Sequence, residues 1–129
     1  MTTEDRLLAT CWSSTGDAAS DRLDLRSPLP LRERIEAASA AGYTGLGLLS
    51  ADLPAAEQEY GLKGIRTLLD DNGIVDLELE DIPYWWDDGP HRAESDEIRH
   101  SLLNAAEVLG ARHFKVTPDG DDAPWDPEH

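Results

Sequence analysis

Asp76, Glu78 and Glu80 alternate with Leu77 and Leu79 in the stretch Gly73-Ile74-Val75-Asp76-Leu77-Glu78-Leu79-Glu80-Asp81. Side chains of a strand alternate between faces, so this spacing sets the carboxylates on one face and the leucines on the other. A second short run, Arg112-His113-Phe114-Lys115-Val116, places His113 and Lys115 on one face, with Thr117 beyond them, and Phe114 and Val116 on the other. Glu80 and Lys115 both fall near the ends of their runs and are expected to meet as an ion pair. Two readings stand. The pair neutralises buried charge and does nothing more, or it orients hydroxyl groups of a ligand, with Lys115 also able to hold a phosphate. Trp85-Trp86 follows the acidic run in a loop. Aromatic planes there either receive the apolar face of a ligand or pack as a cap.

The elements that must position these residues follow from punctuation and period. Asn72-Gly73 is a helix stop, and Pro83 discourages continued strand pairing. Leu7 to Ser13 is predicted as a first strand and Ser14 to Ser27 as a loop. Pro28 and Pro30 fit the start of a helix carrying Leu31, Ile35 and Ala38, stopped by Gly42. Tyr43 to Leu49 is predicted as a second strand. Ser50 to Tyr60 is predicted as a loop with room for a helical turn, and Leu62, Ile65, Leu68 and Leu69 mark a second helix. Ser95 is the expected N-cap of a third helix, with Ile98, Leu102, Ala105, Ala106 and Leu109 as its apolar stripe and Gly110 as its end. Strands beginning near residues 7, 43, 74 and 112 give a spacing of roughly 30–40 residues, that of parallel βα units.

A parallel sheet covered by helices on both faces has strands that are apolar throughout. The acidic face of residues 76–80 instead fits a strand with helices outside and a polar interior. The expected fold is therefore α/β: a parallel (βα) half-barrel of four strands with outer helices, the N-terminal half of a TIM barrel. Residues 1–116 form the βαβαβαβ unit, and 117–129 form an acidic, Pro-rich tail, loosely held. Gly45-x-Gly47-x-x-Ser50 resembles a dinucleotide fingerprint, but its glycines lie inside the strand rather than after it, which suits a narrow lumen better.

Composition limits the partners. The 129 residues carry 27 acidic and 11 basic side chains, a net charge of −16. This disfavours nucleic acid and anionic membranes as partners. Cys11 stands alone, so no intrachain disulfide forms. The start, Met1 to Arg6, lacks a basic region followed by an apolar run, and a cytoplasmic location is expected. The histidines His91, His100, His113 and His129 are scattered, with no pair at metal-ligand spacing on one helix face.

The phrases Leu31-x-x-x-Ile35-x-x-Ala38-x-x-Ala41-Gly42-Tyr43-Thr44-Gly45-Leu46, Gly73-Ile74-Val75-Asp76-Leu77-Glu78 and Ala105-Ala106-Glu107-Val108-Leu109-Gly110-Ala111-Arg112-His113 resemble the N-terminal half of a xylose-isomerase-like TIM barrel. More narrowly, the chain resembles the sugar phosphate isomerase/epimerase group, which shares its barrel with endonuclease IV. The likeness covers nearly all of this chain and about half of that barrel. It implies metal-dependent proton transfer next to a carbonyl in a complete barrel, with Mn, Mg, Co or Zn held by Glu, Asp, His and Glu ligands of the C-terminal half. None of those ligands maps onto this chain, so no catalytic or metal residue is assigned and no tightly bound metal is expected. Barrel sites lie at the C-terminal strand ends, where Trp12, Ser13, Asp52, Glu80, Asp81, Trp85, Trp86, Lys115 and Thr117 fall. Trp12, Glu80, Trp85, Trp86 and Lys115 are the expected contacts to a sugar or sugar phosphate. The alternatives are a non-catalytic half-barrel binding or assembly module and an endonuclease IV-like nuclease, which the acidic surface disfavours. A half-barrel is expected to self-associate or to pair with a second half.

Overall fold

The computed structural model describes residues 5–116 and residue 128. The expected tail and Thr117 lie outside the described residues. Four strands, β1 (Leu8–Ala9), β2 (Gly45–Leu49), β3 (Asp76–Glu80) and β4 (His113–Lys115), form one sheet in the order β1-β2-β3-β4. All neighbours are parallel. The order follows the sequence with no switch point, as the regular βα spacing predicts. The helices are α1 (Cys11–Ser14), α2 (Leu31–Ala40), α3 (Leu53–Asp71) and α4 (Arg92–Leu109).

The outward leucines of the central strands make the core. Leu46, Leu48, Leu77 and Leu79 are each at most 1% exposed and cluster with Ile35 of α2, Ile65 and Leu69 of α3, and Leu102 and Leu109 of α4. Each such side chain removed from water contributes about 1.5–3 kcal/mol. This burial decides the face that β2 and β3 turn towards the helices, and so commits Glu78 and Glu80 to the other face. Phe114 packs against the same cluster. Val116, expected there too, is 45% exposed, because β4 ends at Lys115. The α3–α4 layer is tied at its end by Arg66, whose guanidinium donates to the carbonyls of Leu109 at 2.6 Å and Ile74 at 2.9 Å.

The expected element boundaries change in three places. The predicted first strand over 7–13 is paired only at Leu8–Ala9 and then turns into α1. The predicted loop over 50–60 is largely helical, because α3 begins at Leu53. Its first half is offset from its second by Gly61, at φ 67° and ψ 160°, a conformation that a side chain would resist. Sequence period alone sees two short apolar patterns there rather than one kinked helix. Finally, α4 begins at Arg92 with His91 at its N-cap. Ser95 lies inside the helix, buried, with its hydroxyl unpartnered among the described residues.

Candidate functional site

The polar face is organised by the absence of side chains on β2. Gly45 and Gly47 stand between β1 and β3, in register with Asp76 and Glu78. After Ala9 the backbone leaves its lane and passes over Gly47. A methyl group built on Gly47 would sit 2.7 Å from the Cys11 nitrogen and 3.2 Å from Glu80 Oε1. In that position the Cys11 N–H donates to Glu80 Oε1 at 3.1 Å. This contact is why the first strand is short: its next backbone donor is spent on β3 rather than on β2. Leu8 packs over Gly45, and Arg6 pairs with Asp76 at 3.5 Å.

Glu80 is 1% exposed and Glu78 7%. Buried carboxylates need compensation, and β4 supplies it. The register aligns Glu78 with His113 and Glu80 with Lys115. Lys115 Nζ is in close contact with Glu80 Oε2 and lies 3.5 Å from Glu78 Oε1. His113 Nε2 meets Glu78 Oε2 at 2.6 Å. Burial works to lower the Lys115 pKa, but the hydrogen bond and charge of Glu80, then the charge of Glu78, outweigh it and raise the value above the ordinary lysine range. Lys115 is therefore a fixed cation, not a neutral amine available as a base or imine-forming nucleophile. The His113 and Lys115 side chains are 47% and 36% exposed. They are the parts of the cluster that solvent reaches, over a floor of two carboxylates. At the foot of the strand, Asp76 pairs with Arg112 at 2.8 Å as well as with Arg6.

The expected Glu80–Lys115 pair is thus formed. Glu78 and His113, absent from the expected contact set, belong to the same cluster. Their signal was the alternation itself, since Glu78 shares a face with Glu80 and His113 with Lys115. Trp85 and Trp86 lie in the turn after β3 and pack edge to face, with ring centroids 5.6 Å apart. Tyr84 stands 6.3 Å from Trp86 and stacks on His91 at 4.2 Å. Both tryptophans remain exposed, at 43% and 40%. Trp12 sits in α1 beside Cys11 and is half-buried. The Cys11 thiol is fully buried, and burial, then the hydrogen bond with Glu80, pushes its pKa far above the ordinary thiol range. It is an inert structural group.

Asp52, also at a strand end, goes to a different network. It accepts from Arg34 Nη1 at 2.8 Å and from the Ser27 amide at 2.8 Å. Arg34 is 2% exposed. It falls three residues after Leu31 and four before Ala38, on the apolar stripe of α2, a position that could have announced its burial. Among the described residues, no group of three or more His, Cys, Asp or Glu side chains is arranged to hold a metal ion. Among them, too, no helix is long and apolar enough to cross a membrane. Neither a scan of protein-family models nor a search of curated proteins finds a match to this chain.

Proposed function

We propose that this chain is the substrate-placing half of a sugar or sugar phosphate isomerase/epimerase-like barrel of the xylose-isomerase-like kind, working in the cytoplasm. The observation that supports this best is the Glu80–Lys115 pair, joined by Glu78 and His113, at the C-terminal ends of adjacent parallel strands. Sugar hydroxyls are both donors and acceptors, and a row alternating carboxylate with ammonium and imidazole matches them. Lys115 also suits a phosphate, as a fixed cation. Trp12, Trp85 and Trp86 would supply apolar planes around the ligand.

A divalent metal fits these residues poorly. Lys115 already occupies both carboxylates, and a cation beside its ammonium would be repelled. The metal-dependent proton transfer of such a barrel would then depend on ligands from strands beyond the four described here, in this chain or another. The role of these residues is to bind and orient. A second reading, a non-catalytic assembly module, draws on the same ion pairs. A cluster whose carboxylates already pair with Lys115 and His113 does not require a ligand, and among the described residues β1 and β4 each have only one neighbouring strand. Nuclease activity fits least with a net charge of −16.

The deciding experiment has two arms. Residues 1–129 are titrated with fructose 6-phosphate and with fructose while backbone amides are followed by NMR. Ketose–aldose interconversion and C3 epimerisation are then assayed with Mn²⁺, Mg²⁺ or Co²⁺, for residues 1–129 alone and with a complementary half-barrel added. Saturable shifts at residues 78–80 and 113–115, with turnover only in the complemented sample, support the isomerase reading. No shift with either sugar favours the assembly module. Robust turnover by residues 1–129 alone refutes the division of labour.

A further inference from the structure

A cavity of about 670 Å³ lies away from the Glu80–Lys115 cluster, between residues 17–30 and the first turns of α2 and α3. This is within the size range of small-molecule sites, about 300–1,000 Å³. Its apolar wall is made by Pro28, Leu29, Leu48, Leu53 and Ala56. Among its polar lining, Arg34 is 2% exposed. The guanidinium spends Nη1 on Asp52 and Nε on Ser14 Oγ, at 2.8 and 3.3 Å. Nη2 has no acceptor among the described residues. A buried donor left unpaired is costly, more so when charged, so a ligand that satisfied it would recover that cost.

Two further features favour an acceptor over a donor. Leu31 and Leu53, the first residues of α2 and α3, both line the cavity, and neither helix has a side-chain N-cap. Helix starts present unpaired N–H groups and the positive end of the dipole. The acceptor need not be charged. Arg34 is matched by Asp52, Arg22 by Asp17 and Arg26 by Asp24, leaving Glu59 as the surplus charge of the lining. The Arg26 side chain, then its backbone N–H, hold the Asp24 pKa down to about 2, so that pair stays ionised across neutral pH. A wall with one surplus negative charge, on a chain of −16, does not concentrate anions.

We infer that this cavity binds a small, largely apolar molecule through an uncharged carbonyl oxygen seated on Arg34. A carbonyl offers lone pairs without a donor that would need its own partner in an apolar wall. Nη2 is covered in the free chain, so binding involves a side-chain adjustment of the wall.

The test uses three probes of one shape: cyclohexyl methyl ketone, cyclohexanecarboxylate and cyclohexylmethylammonium. Each is titrated into residues 1–129 while backbone amides are followed by NMR. The expected result is a saturable shift of Leu29, Leu31, Leu53 and Ala56 with the ketone, and binding of the two ions at least about fivefold weaker. Ala55→Phe fills the cavity from its exposed rim without touching the Arg34–Asp52 pair. It should weaken the ketone by about fivefold or more. Arg34→Lys keeps a charge opposite Asp52 but loses the guanidinium fork that presents Nη2 as a second donor nitrogen, and should cost about tenfold. If that variant loses its native spectrum, Ala55→Phe decides alone. The inference is overturned if the ketone gives no saturable shift, if the carboxylate binds tightest, or if Ala55→Phe leaves ketone binding unchanged.

Discussion

Replacing Gly47 with alanine tests the reasoning about the polar face at its narrowest point. The added methyl would lie 2.7 Å from the Cys11 nitrogen and 3.2 Å from the Thr10 carbonyl carbon. Both are backbone atoms and cannot swing aside as the end of a long side chain would. The 3.1 Å bond from the Cys11 N–H to Glu80 must break or stretch. Hydrogen bonds to charged groups contribute about 1.5–3 kcal/mol, and overpacking costs a further 1–3 kcal/mol. Restricting the unfolded chain gives back about 0.4–1 kcal/mol. The net loss is about 2–5 kcal/mol, a large part of a typical stability of about 5–15 kcal/mol. Urea unfolding followed by circular dichroism should show a midpoint lower by about 1–2 M for ordinary slopes. Gly64→Ala, inside α3, is the control: its methyl would meet only Tyr60 Cβ, at 3.3 Å, and the change should be small beside that of Gly47→Ala. Combined with Glu80→Ala, Gly47→Ala should cost less than the sum of the two single changes, since both remove the same bond. A Gly47→Ala chain within about 0.5 kcal/mol of the parent would refute the idea that β1 crosses to β3 over a missing side chain.

Other expectations follow from the same cluster. Lys115→Met takes the ammonium away from two buried carboxylates, leaving Glu78 with His113 and Glu80 with the Cys11 N–H, and should cost about 2–4 kcal/mol in urea melts at neutral pH, less than a fully buried pair because Lys115 is partly exposed. Cys11 should resist a thiol reagent in the native chain and react fully once unfolded; ready native labelling would contradict its burial. Stability should fall with rising alkalinity. The Cys11 pKa is raised from an ordinary 9.0 and the Lys115 pKa from 10.5, so above those values the native state holds protons the unfolded chain has lost. Each group then takes away up to about 1.4 kcal/mol per pH unit, and Cys11→Ala should flatten the slope that begins near pH 9. Sedimentation of residues 1–129 should show association through the singly paired strands β1 and β4, weaker at low salt because of like charge; a monomer at high concentration would count against the half-barrel assembly.

The sheet was readable because two periods agreed. Alternation in Asp76–Glu80 assigned faces, and the βα spacing assigned parallel order; the observed registers follow both. Neither period carries information about where a strand leaves its lane. Leu7 to Ser13 has adequate strand propensity, and its early exit depends on Glu80, 69 residues away from Cys11. The same limit applies to α3. Gly61 looks like a helix stop, yet the helix resumes past it because Leu53 and Ala56 before it and Ile65 and Leu69 after it enter one core. Arg34 carries no apolar signal of its own, and only its place on the stripe between Leu31 and Ala38 points inward.

The two halves of the candidate cluster have different jobs, and the difference follows from burial. Glu78 and Glu80 are sunk in the sheet, where a carboxylate survives only with its partners attached. They cannot be the groups that move a proton to a ligand without first giving up Lys115 and His113. Those partners stand partly in solvent and are free to contact something new on their outer sides. A ligand arriving from the polar face would therefore meet an ammonium and an imidazole whose positions are set by the carboxylates behind them. On this account β3 supplies orientation and β4 supplies contact, while Gly47 keeps the floor low enough for β1 to lock Glu80 from the other side. In the proposed barrel, bond making would fall to groups from outside these four strands.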